Sequence, residues 1–286
     1  MYKRQTYVNG EFLPESEARI SIFDRGFLFA DAVYEVFSVV NGRLLDFPAH
    51  ITRLQRSCGA LNLPLHHDHD QLLALGREII KRNHLREGLI YLQITRGTAE
   101  RDFLFNQDEM MPGIAMFSQS KTVLENPIAK TGLSIITMED KRWGRCDIKT
   151  VQLLYPSLAK MAAREKGADD TWFVKDGTIT EGTSNNAYII TEDNVIVTRQ
   201  LSDAILSGVT RAAILNYVHQ TEIKLIERDF TVDEAYRAKE AFISSANTFV
   251  LPVVRIDDRK IGDGKVGPIA TKLRALYIEQ SIKNAL

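Results

Sequence analysis

Strand-sized apolar runs joined by short, turn-rich connections constrain this chain more than any other feature. Val33–Val40, Leu89–Thr95, Gly113–Phe117, Leu133–Met138, Thr171–Val174, Ala187–Ile190, Val195–Val197, Ala241–Ser244 and Phe249–Val254 all read as strands. Asn9-Gly10, set between Thr6-Tyr7-Val8 and Glu11-Phe12-Leu13, signals a hairpin. Helical spacing covers fewer stretches. Pro48 opens one helix, with Ile51, Leu54, Cys58 and Leu61 on one face. Others are expected over Asp70–Asn83, Tyr155–Lys166, Thr210–Gln220, Val232–Ala238 and Pro268–Ile282. A strand-rich chain with short connections is α+β rather than a regular βαβ repeat. No Gly-x-Gly-x-x-Gly follows a strand, which disfavours a dinucleotide fold. The polar, Pro127-bearing stretch around residues 121–132 reads as a linker. It divides a smaller domain, 1–120, from a larger one, 133–286, that carries Lys149.

A chain of 286 residues is long enough for two ordinary domains. A net charge of −1 gives no electrostatic case for nucleic acid or an anionic membrane as a partner. The apolar runs are too short to span a bilayer, and Met1–Gln5 lacks the apolar core of a signal peptide. Two cysteines, Cys58 and Cys146, make no disulfide framework. The expected compartment is the cytoplasm.

Two runs carry chemistry. Arg142-Trp143-Gly144-Arg145-Cys146-Asp147-Ile148-Lys149-Thr150 presents a lysine amine, the group that forms a Schiff base with an aldehyde cofactor. Thr180-Glu181-Gly182-Thr183-Ser184-Asn185-Asn186 presents a carboxylate on a glycine-bearing turn, able to hold a pyridine nitrogen protonated. Together they suggest pyridoxal phosphate chemistry. Each alone also reads as an ordinary solvated lysine or turn glutamate. His66-His67-Asp68-His69-Asp70 resembles a metal cluster, but its place before a helix fits a polar loop with an Asp cap better. No metal is expected. Cys146, Trp143 and Trp172 are read as packing.

Further motifs lie in order along the chain: Asp24-Arg25-Gly26-Phe27-Leu28-Phe29-Ala30-Asp31, Val33-Tyr34-Glu35-Val36, His50-Ile51-Thr52-Arg53-Leu54 and Thr95-Arg96-Gly97-Thr98. After Lys149 and Glu181 come Leu206-Ser207-Gly208-Val209-Thr210-Arg211 and Asp263-Gly264-Lys265-Val266-Gly267. This set resembles the class-IV aminotransferases, the fold-type IV pyridoxal phosphate enzymes, and among them the D-amino-acid aminotransferases. The resemblance implies two α+β domains with pyridoxal 5′-phosphate at their interface, and a homodimer. It implies transamination of D-amino acids with a 2-oxo acid acceptor. Lys149 would carry the Schiff base and shuttle a proton between substrate Cα and cofactor C4′. Glu181 would pair with the pyridine nitrogen, and Leu206 would pack on the ring. Arg53, Val209, Thr210 and the backbone of Ala246 would hold the phosphate, with Gly208 opening the helix. Tyr34 would face the substrate.

The family's carboxylate trap is an Arg-x-His pair. Here it reads Arg101-Asp102-Phe103, so one hydrogen-bond donor is replaced by an apolar wall. Ser38 stands where well-known members have a lysine. Substrates shifted toward apolar D-amino acids or (R)-amines are therefore expected alternatives. So are a branched-chain L-amino-acid aminotransferase and a 4-amino-4-deoxychorismate lyase of the same fold. A phosphate-ligand binding module that has kept only the scaffold is the non-enzyme alternative.

Overall fold

The computed structural model describes residues 4–219 and 223–286. Gln220, the expected end of one helix, and Met1–Lys3 lie outside the described residues. The chain divides into two compact units: residues 1–123, 148–152 and 284–286 form the first, and residues 124–147 and 153–283 the second. Secondary structure is α+β in both.

The first unit is built on a sheet of six strands among the described residues: β1 (Gln5–Val8), β2 (Glu11–Pro14), β3 (Ala32–Val40), β4 (Arg43–Leu44), β5 (Glu87–Thr95) and β6 (Gly113–Ser120). Their order is β2-β1-β6-β5-β3-β4. Between them lie the helices α1 (Arg25–Phe29), α2 (Phe47–Ala60) and α3 (His69–Arg82). Strand alternation sorts the faces. Val33, Phe37 and Val39 of β3 join Ile90, Leu92 and Ile94 of β5 in a core with Ile51 and Leu54 of α2 and Leu72 and Ile79 of α3. Tyr34, Val36 and Ser38 occupy the other face of β3.

Helix α1 is too short for periodicity to reveal. Asp24 caps it, accepting from Gly26 N at 2.7 Å, and Ala30 ends it at φ 54°. A Cβ on Gly26 would come within 2.6 Å of Thr95 Cγ2, so only glycine fits there. Helix α3 begins one residue before the expected Asp70. Asp68 caps it, in a reciprocal box with Gln71. Asp68→Ala should lower stability by about 1 kcal/mol, read as a small fall in thermal midpoint; an unchanged midpoint would deny the cap that role.

The second unit contains α4 (Ile128–Thr131), β7 (Leu133–Glu139), α5 (Leu154–Glu165), β8 (Asp170–Lys175), β9 (Thr178–Gly182), β10 (Asn186–Ile190) and β11 (Ile196–Thr198). It continues with α6 (Val209–Val218), β12 (Leu225–Glu227), α7 (Val232–Tyr236), β13 (Glu240–Ser245), β14 (Phe249–Ile256), β15 (Arg259–Lys260) and α8 (Pro268–Lys283). Among the described residues its sheet has nine strands, ordered β12-β11-β10-β13-β14-β7-β8-β9, with β15 paired to β14. The pairs β11–β12, β14–β7 and β7–β8 are parallel and the rest antiparallel.

Two expectations change. Glu181 lies in strand β9, not in a turn, because β9 pairs with β8 through Ile179–Val174; the turn residues begin after Gly182. Residues 148–152, expected with the C-terminal part, cluster with the first unit instead. The physical reason is edge pairing: Thr150 bridges Val33 of β3, and Ile148 is buried in that unit's core.

Candidate active site

Lys149 lies in an extended segment along the first half of β3. Its carbonyl accepts from Tyr34 N at 3.0 Å, and its own N–H donates to Ser57 Oγ of α2 at 3.3 Å. With both backbone polar groups bonded, the direction of the side chain is set. Nζ stands 4.1 Å from the centre of the Tyr34 ring. Tyr34 stacks on Tyr91 at 5.4 Å between centroids, and Tyr91 on Phe117 at 4.9 Å. The half-buried lysine amine therefore rests on the end of a row of aromatic rings.

Glu35, next to Tyr34 on β3, points to the opposite face and is 0% exposed. Arg53 of α2 forks onto it, Nε to Oε1 at 2.8 Å and Nη2 to Oε2 at 2.7 Å. His50 Nδ1 lies 2.7 Å from Oε2. Burial opposes the charge on Glu35, yet Arg53 and His50 hold its carboxyl well below the usual carboxylate range. An ionised carboxylate only accepts, so His50 Nδ1–H is the donor. Burial pushes that imidazole below its usual range, so the ring is neutral at neutral pH. Arg53 is thus anchored by two residues to which sequence reasoning gave no role. The signal was a glutamate at a core-facing position, in alternation with Val33, Phe37 and Val39.

Arg101 and Phe103 lie in an exposed loop after β5, with Phe103 76% exposed. The Arg101 guanidinium is 5.7 Å from the Phe29 ring and 5.8 Å from Phe103. The loop is tied at its root. Asp31 Oδ2 accepts from Arg25 Nε at 3.0 Å and Arg96 Nε at 2.7 Å, and both guanidinium groups face the Phe105 ring, at 4.4 and 4.7 Å. Ser38 is buried on β3.

In the second unit, Glu181 is 4% exposed. Its Oε1 accepts from Arg142 Nη1 at 2.6 Å, and its Oε2 from Asn186 Nδ2 at 3.1 Å. Leu206 N is shared between the two oxygens at 3.2 and 3.1 Å. Burial raises the carboxyl above the usual glutamate value, and the Arg142 guanidinium pulls it down. A carboxylate offers about four acceptor sites. Arg142, Asn186 and Leu206 each present one hydrogen, which leaves room for a further donor such as a pyridinium N–H. Asn186 also donates to Leu206 O at 2.9 Å, tying β10 to the segment before α6.

That segment turns at Gly208, where a Cβ would meet Asn186 Oδ1 at 2.1 Å. Gly208 has no side chain to cap α6. The first amides of a helix have no intrahelical partner, and the dipole is positive there, so Val209 and Thr210 open a site suited to phosphate. The Thr210 and Tyr277 hydroxyls lie 3.4 Å apart. Ala246 follows β13 in the short connection to β14. The expected site residues thus form two groups. Tyr34, Arg53, Arg101, Phe103 and Lys149 belong to the first unit, and Glu181, Leu206, Val209, Thr210 and Ala246 to the second. Arg142 and Asn186 were given no role from the sequence, although both lie in the two runs that drew attention to Lys149 and Glu181.

Known proteins resemble this chain in sequence and in fold. The family model for amino-transferase class IV covers residues 32–256. The D-alanine aminotransferase of Staphylococcus aureus (strain N315) is 39% identical over 270 residues, 94% of this chain and 94% of its own. That of Bacillus licheniformis is 36% identical over 272 residues, 93% of each chain. Among solved structures, the branched-chain amino acid aminotransferase of Escherichia coli has a TM-score of 0.88 at 19% identity, covering 98% of this chain and 95% of that one. The branched-chain aminotransferase of the thermophilic archaeon Thermoproteus uzoniensis, solved with norvaline, has a TM-score of 0.85 at 21% identity, covering 96% and 94%. The solved structures share the fold. The chain belongs to the class IV aminotransferases.

Proposed function

We propose that this protein is a pyridoxal-phosphate-dependent transaminase that moves the amino group of D-amino acids to 2-oxo acids. The observation that carries the reading is Lys149, pinned through its backbone to β3 and α2 with Nζ on the Tyr34 ring. The identity with D-alanine aminotransferases over most of the chain supports the D-series substrate. When bound, pyridoxal phosphate supplies an aldehyde for a lysine amine and a ring that withdraws electrons from the substrate Cα.

The residues have separate tasks. Lys149 Nζ would take the proton from the substrate Cα and deliver it to the cofactor's C4′ carbon. Glu181 holds a proton at the pyridine nitrogen, and Leu206 covers the ring. Arg53, the amides of Val209, Thr210 and Ala246, and the Thr210 hydroxyl bind the phosphate. Tyr34 orients the substrate beside the amine. Arg101 receives the substrate carboxylate as a fork, and Phe103 adds an apolar wall beside it.

A homodimer is part of the proposal. Ile22, Phe27, Leu104 and Met111 are 66–85% exposed in the first unit, with Ile22 at 70% and Phe27 at 66%. Leu154, Leu158 and Met161 form an exposed apolar stripe on α5. Among the described residues no helix is long and apolar enough to cross a membrane. Both cysteines are free, which fits the cytoplasm.

A substrate panel with chiral product analysis tests the function. D-alanine, D-glutamate, L-leucine and (R)-1-phenylethylamine are each offered with a 2-oxo acid. Turnover should be greatest with a D-amino acid. No turnover with either D-amino acid overturns the reading. Phe103→His should improve D-glutamate over (R)-1-phenylethylamine by roughly tenfold, the worth of one charge-assisted hydrogen bond; an unchanged ratio removes Phe103 from the substrate site.

A further inference from the structure

We propose that Arg142, oriented by Asp140, is a positioning residue that keeps Glu181 an ionised and correctly aimed acceptor for the cofactor's pyridine nitrogen. This rests on the role given above to Glu181. Nothing in the chemistry of a carboxylate acceptor requires an arginine beside it, so the pair needs its own explanation.

The geometry is a relay of three charges. Asp140, just past β7, accepts from Arg142 Nε on Oδ1 at 2.9 Å and from Nη2 on Oδ2 at 2.7 Å. Arg142 N also donates to Oδ1 at 3.2 Å, and Thr180 Oγ1 donates to Oδ2 at 2.7 Å. With one edge of the guanidinium fixed by this fork, Nη1 is aimed at Glu181 Oε1 at 2.6 Å. The guanidinium lies 4.7 Å from the Phe173 ring, and Nη2 also reaches Ala204 O at 3.3 Å. Arg142 is therefore held by Asp140, the Phe173 ring and Ala204, and its contact with Glu181 has little freedom to wander.

Charge accounts for its presence. The Arg142, Asp140 and Glu181 side chains are 11%, 6% and 6% exposed. Two carboxylates and one guanidinium leave one net negative charge, and a pyridinium brings the single positive charge that balances it. Remove Arg142 and the two buried carboxylates face each other without a cation between them. Burial and the facing Asp140 carboxylate then outweigh the Leu206 amide that remains, and Glu181 takes up a proton. A protonated Glu181 has no negative charge with which to keep the ring nitrogen protonated. Arg142 also lines a cavity of about 460 Å³ with Trp143, Cys146, Lys175 and Asp203, large enough to admit a small cation.

The test is the nitrogen-15 NMR shift of ring-labelled pyridoxal phosphate bound to the full-length protein. Wild type should show a pyridinium signal. Arg142→Ala should move it toward neutral pyridine and raise the cofactor Kd by about tenfold or more. Added guanidinium, entering the cavity, should restore the signal, which a merely structural role for Arg142 would not produce. Asp140→Asn, which keeps the arginine but weakens its fork, should give a smaller displacement in the same direction and serves if the alanine variant folds poorly. A pyridinium signal unchanged in both variants but lost in Glu181→Gln overturns this inference and leaves the proposed function standing. A signal unchanged in Glu181→Gln as well overturns the role of Glu181 and this inference with it.

Discussion

Lys149→Ala should leave a folded protein with no cofactor fixed by borohydride and with D-amino-acid turnover lowered by at least about 10²–10⁴-fold, the usual worth of a positioned proton-transfer group. The fold should survive because the segment is held by its backbone, through Tyr34 N and Ser57 Oγ, which alanine keeps. The contact given up is that of Nζ with the Tyr34 ring, and the ring keeps its stack on Tyr91. Circular dichroism and the urea midpoint should therefore stay close to wild type. Turnover within tenfold of wild type would mean that another base works the reaction. Loss of folding together with activity would mean that the lysine side chain is structural.

Arg53→Met should destabilise the protein by about 3–5 kcal/mol, the cost of leaving a buried charge without its partner. Glu35 is the reason. It is completely buried and depends on Arg53 and His50 for its charge. Arg53→Met combined with Glu35→Gln should recover a large part of the loss, since no charge then remains to be matched. Equal destabilisation in the single and double variants would refute the pairing argument. In wild type the folded pKa of Glu35 is depressed, so its contribution is present above the unfolded value of about 4.3 and is lost as pH falls from there through the folded value. In Arg53→Met the buried carboxyl is penalised at neutral pH and relieved once protonated. The gap between the two proteins should be widest near pH 7 and narrow toward pH 4 in urea denaturation.

Much of this was legible in the sequence because it is local. The Asn9-Gly10 hairpin, the alternating run of β3 and the spaced faces of α2 and α3 follow from neighbouring residues, and they formed. Lys149, Glu181 and Arg53 stood out because ordered motifs surround them. What local pattern could not carry was partnership at a distance in sequence. Nothing in Thr150 announces that it will bridge Val33, so the lysine was placed with its chain neighbours instead of its sheet. Glu181 looked like a turn residue because Gly182 and the polar residues after it dominate the local signal, while pairing with β8 made it a strand. Arg142 read as one more arginine until Asp140 and Glu181 closed around it. The loop with Arg101 gave no sign that Phe105 would sit between Arg25 and Arg96, two arginines far apart in the chain.

The excursion of residues 148–152 makes the protein indivisible. The chain leaves the first unit after Val123, returns for Ile148–Gln152, leaves again, and comes back for Asn284–Leu286, where Leu286 exchanges backbone hydrogen bonds with Leu44. A fragment cut at Val123 would carry Arg53 and Tyr34 but lack Lys149, and the first half of the β3 edge would lose its partner at Thr150. A fragment starting at Leu124 would carry that lysine without the strand that aims it. Such a catalyst cannot be assembled by fusing independently folding modules, nor can one half be exchanged for a relative's without moving the middle and the tail of the chain along with it.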